Sequence, residues 1–298
     1  MNQFSIKDIE NMCGVKAHTL RIWEQRYNLF TPKRKKSQHR TYDCDDLKEL
    51  LRIAFLYHNG YKISKIAELS CEQIKEEVAR LKQECCNYEV FVHQLTEASV
   101  ALDPEKFEEV VDDLLKRIGL EKCILHVFYP FLHRIGLLWM TNHVIPAQEH
   151  FSSYIIQKKI IAGTDQLPAV TDKTYNVIIF SPPGELHEIP LLVVNYLLRK
   201  QAVYTTYFGK EVSTQTLEYF ASLHPVTHFY AHLVTVFDNM ALNTFIKSVC
   251  NSFPDKPVTV SGPACQCIQD KPANFTQICS LEKMLEYTQT FKQSEVPI

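Results

Sequence analysis

The stretch "ELHEIP" (185–190) places one imidazole, His187, between two carboxylates, Glu185 and Glu188. A carboxylate two residues back on the same loop can accept one ring N–H, fix the tautomer and leave the second nitrogen to bind a metal. A different chemistry is written near the start of the chain. In "HTLRIWEQRY" (18–27), helical spacing sets His18, Thr19, Arg21, Gln25 and Arg26 on an outer side and turns Leu20, Trp23 and Tyr27 inward. Arginine on such a helix can hold guanine edges in a major groove or clamp phosphates. The next segment, "PKRKKSQHRTY" (32–42), adds Lys33, Arg34, Lys35, Lys36, His39 and Arg40, enough cations to hold several phosphates with salt-dependent affinity. A lone loop histidine or a lone basic cluster is ordinary solvated surface, so each gains meaning only from the elements that carry it.

Those elements differ along the chain. Ser5 can cap a helix "IKDIENM", and "CGV" (13–15) makes a glycine turn before the helix at 17–27. A basic loop or small hairpin (29–42) follows, then an acidic-start helix over 43–60 ended by Gly60, and another helix after Ser64. This is a winged helix-turn-helix plan. Residues 71–86 read as a charged helical connector, and 88–166 as four long helical segments, which suggests a four-helix bundle. Strand candidates at 175–180, 202–207, 227–233, 257–261 and 275–279 then alternate with helices at 189–200, 214–223, 238–250 and 281–291. The expected architecture is therefore multidomain. An all-α winged helix-turn-helix (1–75) leads through a helical connector (76–87) to a four-helix bundle (88–168) and an α/β Rossmann-like, flavodoxin-like parallel sheet (169–298). A histidine in a strand-to-helix loop of such a sheet lies at the carboxyl edge, where open parallel sheets bind ligands.

The composition agrees with this division. The chain has 298 residues, enough for two or three domains, and 46% hydrophobic residues, enough for a sizeable core. Net charge is −2, but residues 1–70 hold 13 basic against 8 acidic residues and the remainder 19 against 26. A basic head on an acidic body points to a polyanion partner for the head. The start lacks the pattern of a signal peptide and no uninterrupted apolar run approaches ~18 residues, so a cytoplasmic protein with no membrane partner is expected. The ten cysteines are scattered and read as reduced thiols; Cys265-x-Cys267 and Cys85-Cys86 have poor spacing for zinc. No GxGxxG is present, so a dinucleotide site has no support.

The segment "FSIKDIENMCGVKAHTLRIWEQRYNLFTPKRKKSQHRTYDCDDLKELLRI" resembles the DNA-binding domain of MerR-type transcriptional regulators over its whole length. The parts that carry the likeness are "GV..HTLR.WE.RY" and "HR.Y" before an acidic helix start. The resemblance implies double-stranded DNA with a pseudo-palindromic promoter site as the partner, and a homo-dimer or homo-tetramer. It implies DNA contacts by His18, Thr19, Arg21, Arg26, Lys35, His39, Arg40 and Tyr42. In the same way "ELHEIP" resembles the cobalamin-binding signature of an acid, any residue, His, two residues and Gly. In that family the histidine is the lower axial ligand of cobalt, and a helical bundle covers the upper face of the corrin. "WMTNHVIPAQEH" (139–150) is similar to the Trp, nine residues, Glu-His pattern of light-responsive, cobalamin-dependent MerR-type repressors of the CarH and LitR type. By this resemblance His187 is the cobalt ligand oriented by Glu185, Trp139, Glu149 and His150 meet the adenosyl side, and Ser261 and Gly262 line the buried nucleotide tail. The implied cofactor is cobalamin, as adenosylcobalamin or methylcobalamin, and no enzymatic activity is implied.

The chain departs from that pattern at named positions. The signature glycine is Pro190, the later Ser-x-Leu is Ala231-His232-Leu233, and the Gly-Gly is Ser261-Gly262. Beside Trp139, where the light-responsive group has a histidine able to take the upper cobalt site, stands Met140. Two other functions stay open at this point: a MerR-type regulator with a cobalamin-free sensor acting through protein contacts, and a cobalamin-carrier module of a methyltransferase-type enzyme.

Overall fold

A computed structural model describes all residues except 1–3, 28, 31–32, 35–39, 59, 85–87, 142–143, 236–237, 270 and 292–298. The chain forms two compact units, Met1–Ile155 and Ile156–Ile298.

In the first unit α1 (Ile6–Cys13) starts at Ser5 with a capping box, Asp8 answering the Ser5 backbone N–H, and stops at Gly14 with φ +69°. Helix α2 (Ala17–Tyr27) buries Leu20 and Trp23, the inward pair expected from the spacing. Tyr27 is only partly covered. Strands β1 (Lys33–Arg34) and β2 (Arg40–Thr41) pair antiparallel, so the basic segment is a short hairpin. Phe4 bridges Tyr42 just beyond it, tying the N-terminus to the base of the hairpin. Helix α3 (Cys44–His58) buries Leu47, Leu50, Leu51, Ile53 and Ala54, and α4 (Ile63–Ile66) begins one residue before Ser64 with no side-chain cap. Helix α5 (Cys71–Glu84), which fills most of the expected connector, packs on α3 with Ile74 and Val78 buried.

Helix α6 (Tyr88–Val100) follows, then α7 (Pro104–Ile118), capped by Asp103 with proline in its first turn. Next come α8 (Leu120–Cys123), a π-helical turn (Ile124–Phe128) and α9 (Tyr129–Met140), which run as one continuous helix. Helix α6 packs on α7 and on this long helix, and α10 (Pro146–Asp165) completes the four expected helical segments. Among the described residues Leu120–Met140 is the helix long and apolar enough by composition to cross a bilayer. Its Phe131, Ile135 and Leu138 lie buried in the unit's core instead.

The second unit alternates β3 (Asn176–Phe180), α11 (Ile189–Lys200), β4 (Tyr204–Gly209), α12 (Thr214–Leu223), β5 (His228–His232), α13 (Asn239–Ser252), β6 (Val258–Ser261), β7 (Phe275–Ile278) and α14 (Leu281–Gln289). All five strands are parallel in the order β4-β3-β5-β6-β7, the flavodoxin-like order. Every residue of β3 is buried, as expected of a strand covered on both faces. Strand β4 begins two residues later than the apolar pattern places it, because Ala202 takes φ +57° in the turn that ends α11. The order reverses between β3 and β5, so the loops leaving those two strands flank the topological switch point.

Candidate functional site

The loop after β3 is built by "SPPGE". Glu185 N–H donates to the Pro182 carbonyl at 3.2 Å, closing a turn whose third residue, Gly184, has φ +87°. A turn of type II needs that left-handed φ and favours proline just before it, which is the Pro183-Gly184 pair. The turn drops the Glu185 side chain into the protein, where it is 2% exposed. One carboxylate oxygen, Oε1, accepts from His187 Nδ1 at 2.6 Å and from the His187 backbone N–H at 2.9 Å. The other, Oε2, accepts from the N–H groups of Val234 at 2.7 Å and Thr235 at 2.9 Å, in the loop after β5. Burial alone would raise this carboxyl, but the hydrogen bonds from His187, Thr235 and Val234 outweigh it and hold it below the usual range. Glu185 is therefore an anion at neutral pH that locks the switch point closed on one side and grips an imidazole on the other.

His187 is held on its Nδ1 side by Glu185, and its side chain is half exposed. Glu188 takes no part in this pair. Its carboxylate accepts from the Tyr207 hydroxyl at 3.2 Å and meets Lys210 Nζ at 3.1 Å, and it caps α11 without a side-chain bond to the helix. Pro190 lies in the first turn of α11, where no backbone donor is lost, so proline in the signature's glycine position leaves the loop intact.

Ser261 and Gly262 behave otherwise. Ser261 is buried, and its hydroxyl joins the Tyr230 hydroxyl at 2.6 Å and His232 Nδ1 at 2.7 Å. Gly262 has φ +101°, and a Cβ there would stand 2.2 Å from the Leu233 carbonyl oxygen. Its glycine is required by close packing of the β5 and β6 ends. Burial pushes the His232 imidazole down to about 4, so it is neutral in this network. Sequence reasoning missed His232 as a site residue and the Val234 and Thr235 amides as the anchor of Glu185; backbone donors leave no side-chain signature.

In the first unit Trp139 and Met140 end α9, both more than half exposed. Glu149 on α10 accepts from the Ser153 hydroxyl, and the exposed His150 Nε2 stands 3.7 Å from Glu149 Oε2. On α2, His18, Arg21 and Arg26 are exposed and Thr19 partly so. Arg40 of the hairpin donates to Glu24 Oε2 at 2.7 Å, which ties the hairpin to α2. Tyr42 is a correction: it is 1% exposed, packed edge-on to Phe30, and cannot reach a duplex from there. The Phe4 bridge pulls its backbone into the head, so the side chain serves the core. Lys35 and His39 lie outside the described residues.

Residues 4–72 match the family model "MerR HTH family regulatory protein", and residues 92–162 match "B12 binding domain". The chain is 27% identical over 220 residues to the HTH-type transcriptional repressor CarH of Myxococcus xanthus, covering 72% of this chain and 73% of that protein. It is 25% identical over 219 residues to the repressor CarA of the same organism, with 72% and 70% covered. Among solved structures it is similar to the monomethylamine corrinoid protein of Methanosarcina barkeri, with TM-score 0.54 and 12% identity over 66% of this chain and 95% of that one. That last likeness is one of fold.

Set against a cobalamin, the donor set divides. An imidazole, half exposed and oriented by a buried carboxylate, fits a ligand of a cobalt centre. The Tyr230, His232 and Ser261 side chains, buried and bonded to one another, do not fit the lining of an open slot for a nucleotide tail.

Proposed function

We propose that this chain, which joins a MerR-type helix-turn-helix head to a B12-binding region and a parallel sheet, is a transcriptional regulator that senses cobalamin and changes its hold on DNA. It acts by binding, not by catalysis. The observation that carries this most directly is the Glu185–His187 pair at the switch point, standing behind a MerR-type head. When bound, a corrinoid supplies a cobalt centre with an exchangeable upper ligand. In the second unit His187, oriented by Glu185, would hold the cobalt, and Trp139, Glu149 and His150 of the first unit are the further residues proposed for cofactor binding. Met140 offers a thioether where an imidazole would make a firmer bond to cobalt(III), so any light response is weak or readily reversed.

At the head, His18, Thr19, Arg21 and Arg26 face the major groove of a pseudo-palindromic site. The hairpin around Lys35, His39 and Arg40 holds phosphates, and the protein works in the cytoplasm as a dimer or tetramer whose assembly responds to the ligand. A MerR-type head argues against a methyltransferase carrier. The filled surroundings of Ser261 favour a second possibility, a cobalamin-free regulator acting through protein contacts. One experiment separates the two: titration with adenosylcobalamin followed by absorbance, alongside light scattering and gel shift with operator DNA. Saturable His-on binding with a change of mass or DNA affinity supports the sensor. No spectral change at saturating ligand leaves the cobalamin-free regulator.

A further inference from the structure

If His187 is the lower ligand of cobalt, the nucleotide tail of a complete cobalamin is displaced from the metal and must go elsewhere. The carboxyl ends of β5 and β6 lie on the same sheet edge as the loop after β3 that carries His187. There the chain has placed three polar side chains that satisfy one another. The Ser261 hydroxyl joins the Tyr230 hydroxyl and His232 Nδ1, all three residues being less than a tenth exposed. The floor is closed as well, because Gly262 is pressed so near the Leu233 carbonyl that even a Cβ would stand 2.8 Å from His232 Nε2. Opening this place for an aromatic base would expel His232 and cost Ser261 its 2.7 Å bond to the imidazole, and a lost buried hydrogen bond is costly.

We propose that this protein holds its ligand without using the nucleotide tail, which stays outside the sheet, so that it accepts base-free corrinoids of the cobinamide type as readily as complete cobalamin. His232 is the specificity-determining residue, with Ser261 and Tyr230 holding it in place. This rests on the cobalamin-sensing function proposed above, and it widens the ligand class from cobalamin to corrinoids at large. In the neutral form that burial imposes, the imidazole neither repels nor attracts a phosphate of the tail, so closure is steric.

The test compares dissociation constants for aquocobinamide and hydroxocobalamin, read by absorbance, in the full-length wild type, in His232→Ala and in Ser261→Gly. The expected wild-type ratio of the two constants is within about threefold of one, since an uninserted tail contributes no buried area. His232→Ala opens the place and shifts the ratio toward cobalamin by about tenfold, from apolar burial of the base. Ser261→Gly, a smaller change near the pattern of the signature, shifts it the same way and serves if His232→Ala does not fold. A wild type that prefers cobalamin tenfold or more overturns the proposal while leaving the sensor function standing, and so does an unchanged ratio in both variants. Binding of neither corrinoid by the wild type overturns both.

Discussion

Glu185 Oε1 lies 2.6 Å from His187 Nδ1, while Oε2 of the same carboxylate takes the Val234 and Thr235 amides across the point where the strand order reverses. The orientation of the imidazole is thus tied to the closure of the sheet edge. A change at the histidine is felt in the loop after β5, and a change in that loop is felt at the histidine.

The first consequence concerns this pair. His187→Ala is expected to abolish the His-on absorbance change with adenosylcobalamin and most of the affinity, with DNA binding by the head retained. Glu185→Gln keeps the shape but loses the anion, and second-sphere losses of this kind weaken metal binding about 10–100-fold. Absorbance titration checks both. Equal affinity in wild type and His187→Ala would make the histidine an ordinary loop residue.

The head gives a contrast between an exposed and a buried side chain. Arg21→Ala is expected to weaken specific DNA binding by about 1–3 kcal/mol, the cost of a lost base contact. Tyr42→Phe is expected to leave DNA affinity unchanged and not to lower the melting temperature, since its buried hydroxyl has no hydrogen-bond partner among the described residues. Salt-dependent gel shifts and thermal melts decide. A loss of affinity in Tyr42→Phe without loss of stability would return Tyr42 to the DNA surface.

Acid should weaken the fold in a definite window. Burial pushes His93 down to about 3, with Arg134 adding to the effect, and His232 down to about 4. The 3.5 Å approach of His93 to Glu89 is therefore no ion pair at neutral pH, and Arg134 takes that carboxylate. Both imidazoles bind fewer protons in the folded chain than in the unfolded one. Stability is full above about pH 6.5, the unfolded value, and falls as pH drops toward the folded values. The expected loss between pH 8 and pH 5 is about 2 kcal/mol per imidazole. Melting temperatures at those two pH values, in wild type and in His93→Gln, measure it; the variant should show a flatter dependence.

Gly262→Ala should destabilise the second unit by more than a surface change does. A non-glycine residue at φ +101° costs about 1–3 kcal/mol in strain, and the added Cβ also meets the Leu233 carbonyl at 2.2 Å. Urea unfolding followed by circular dichroism is the measurement. A midpoint equal to wild type would mean that the β5 and β6 ends are free to separate.

Much of the molecule was legible in its residues because the relevant distances are short in sequence. Helical spacing buries Leu20 and Trp23, Ser5 answers Asp8 three residues on, and β3 is apolar throughout because both its faces are covered. Glu185 and His187 share one loop two residues apart, so short chain geometry brings carboxylate and imidazole within reach, and Pro190 could be placed in a first helical turn. What sequence could not decide depends on contacts made across the fold. The amides of Val234 and Thr235 reach Glu185 only because β3 and β5 are neighbours at the reversal of strand order. Tyr42 sits among basic wing residues in sequence, yet the pairing with Phe4 turns it inward. Ser261 and Gly262 are expected from the resemblance to line a nucleotide tail, but the register of β5 beside β6 sets His232 opposite Ser261, and the two side chains bond to each other. Strand register is fixed by the packing of the whole sheet, and a one-residue difference in it sends a side chain to the other face, so only the tertiary structure could settle which polar groups meet.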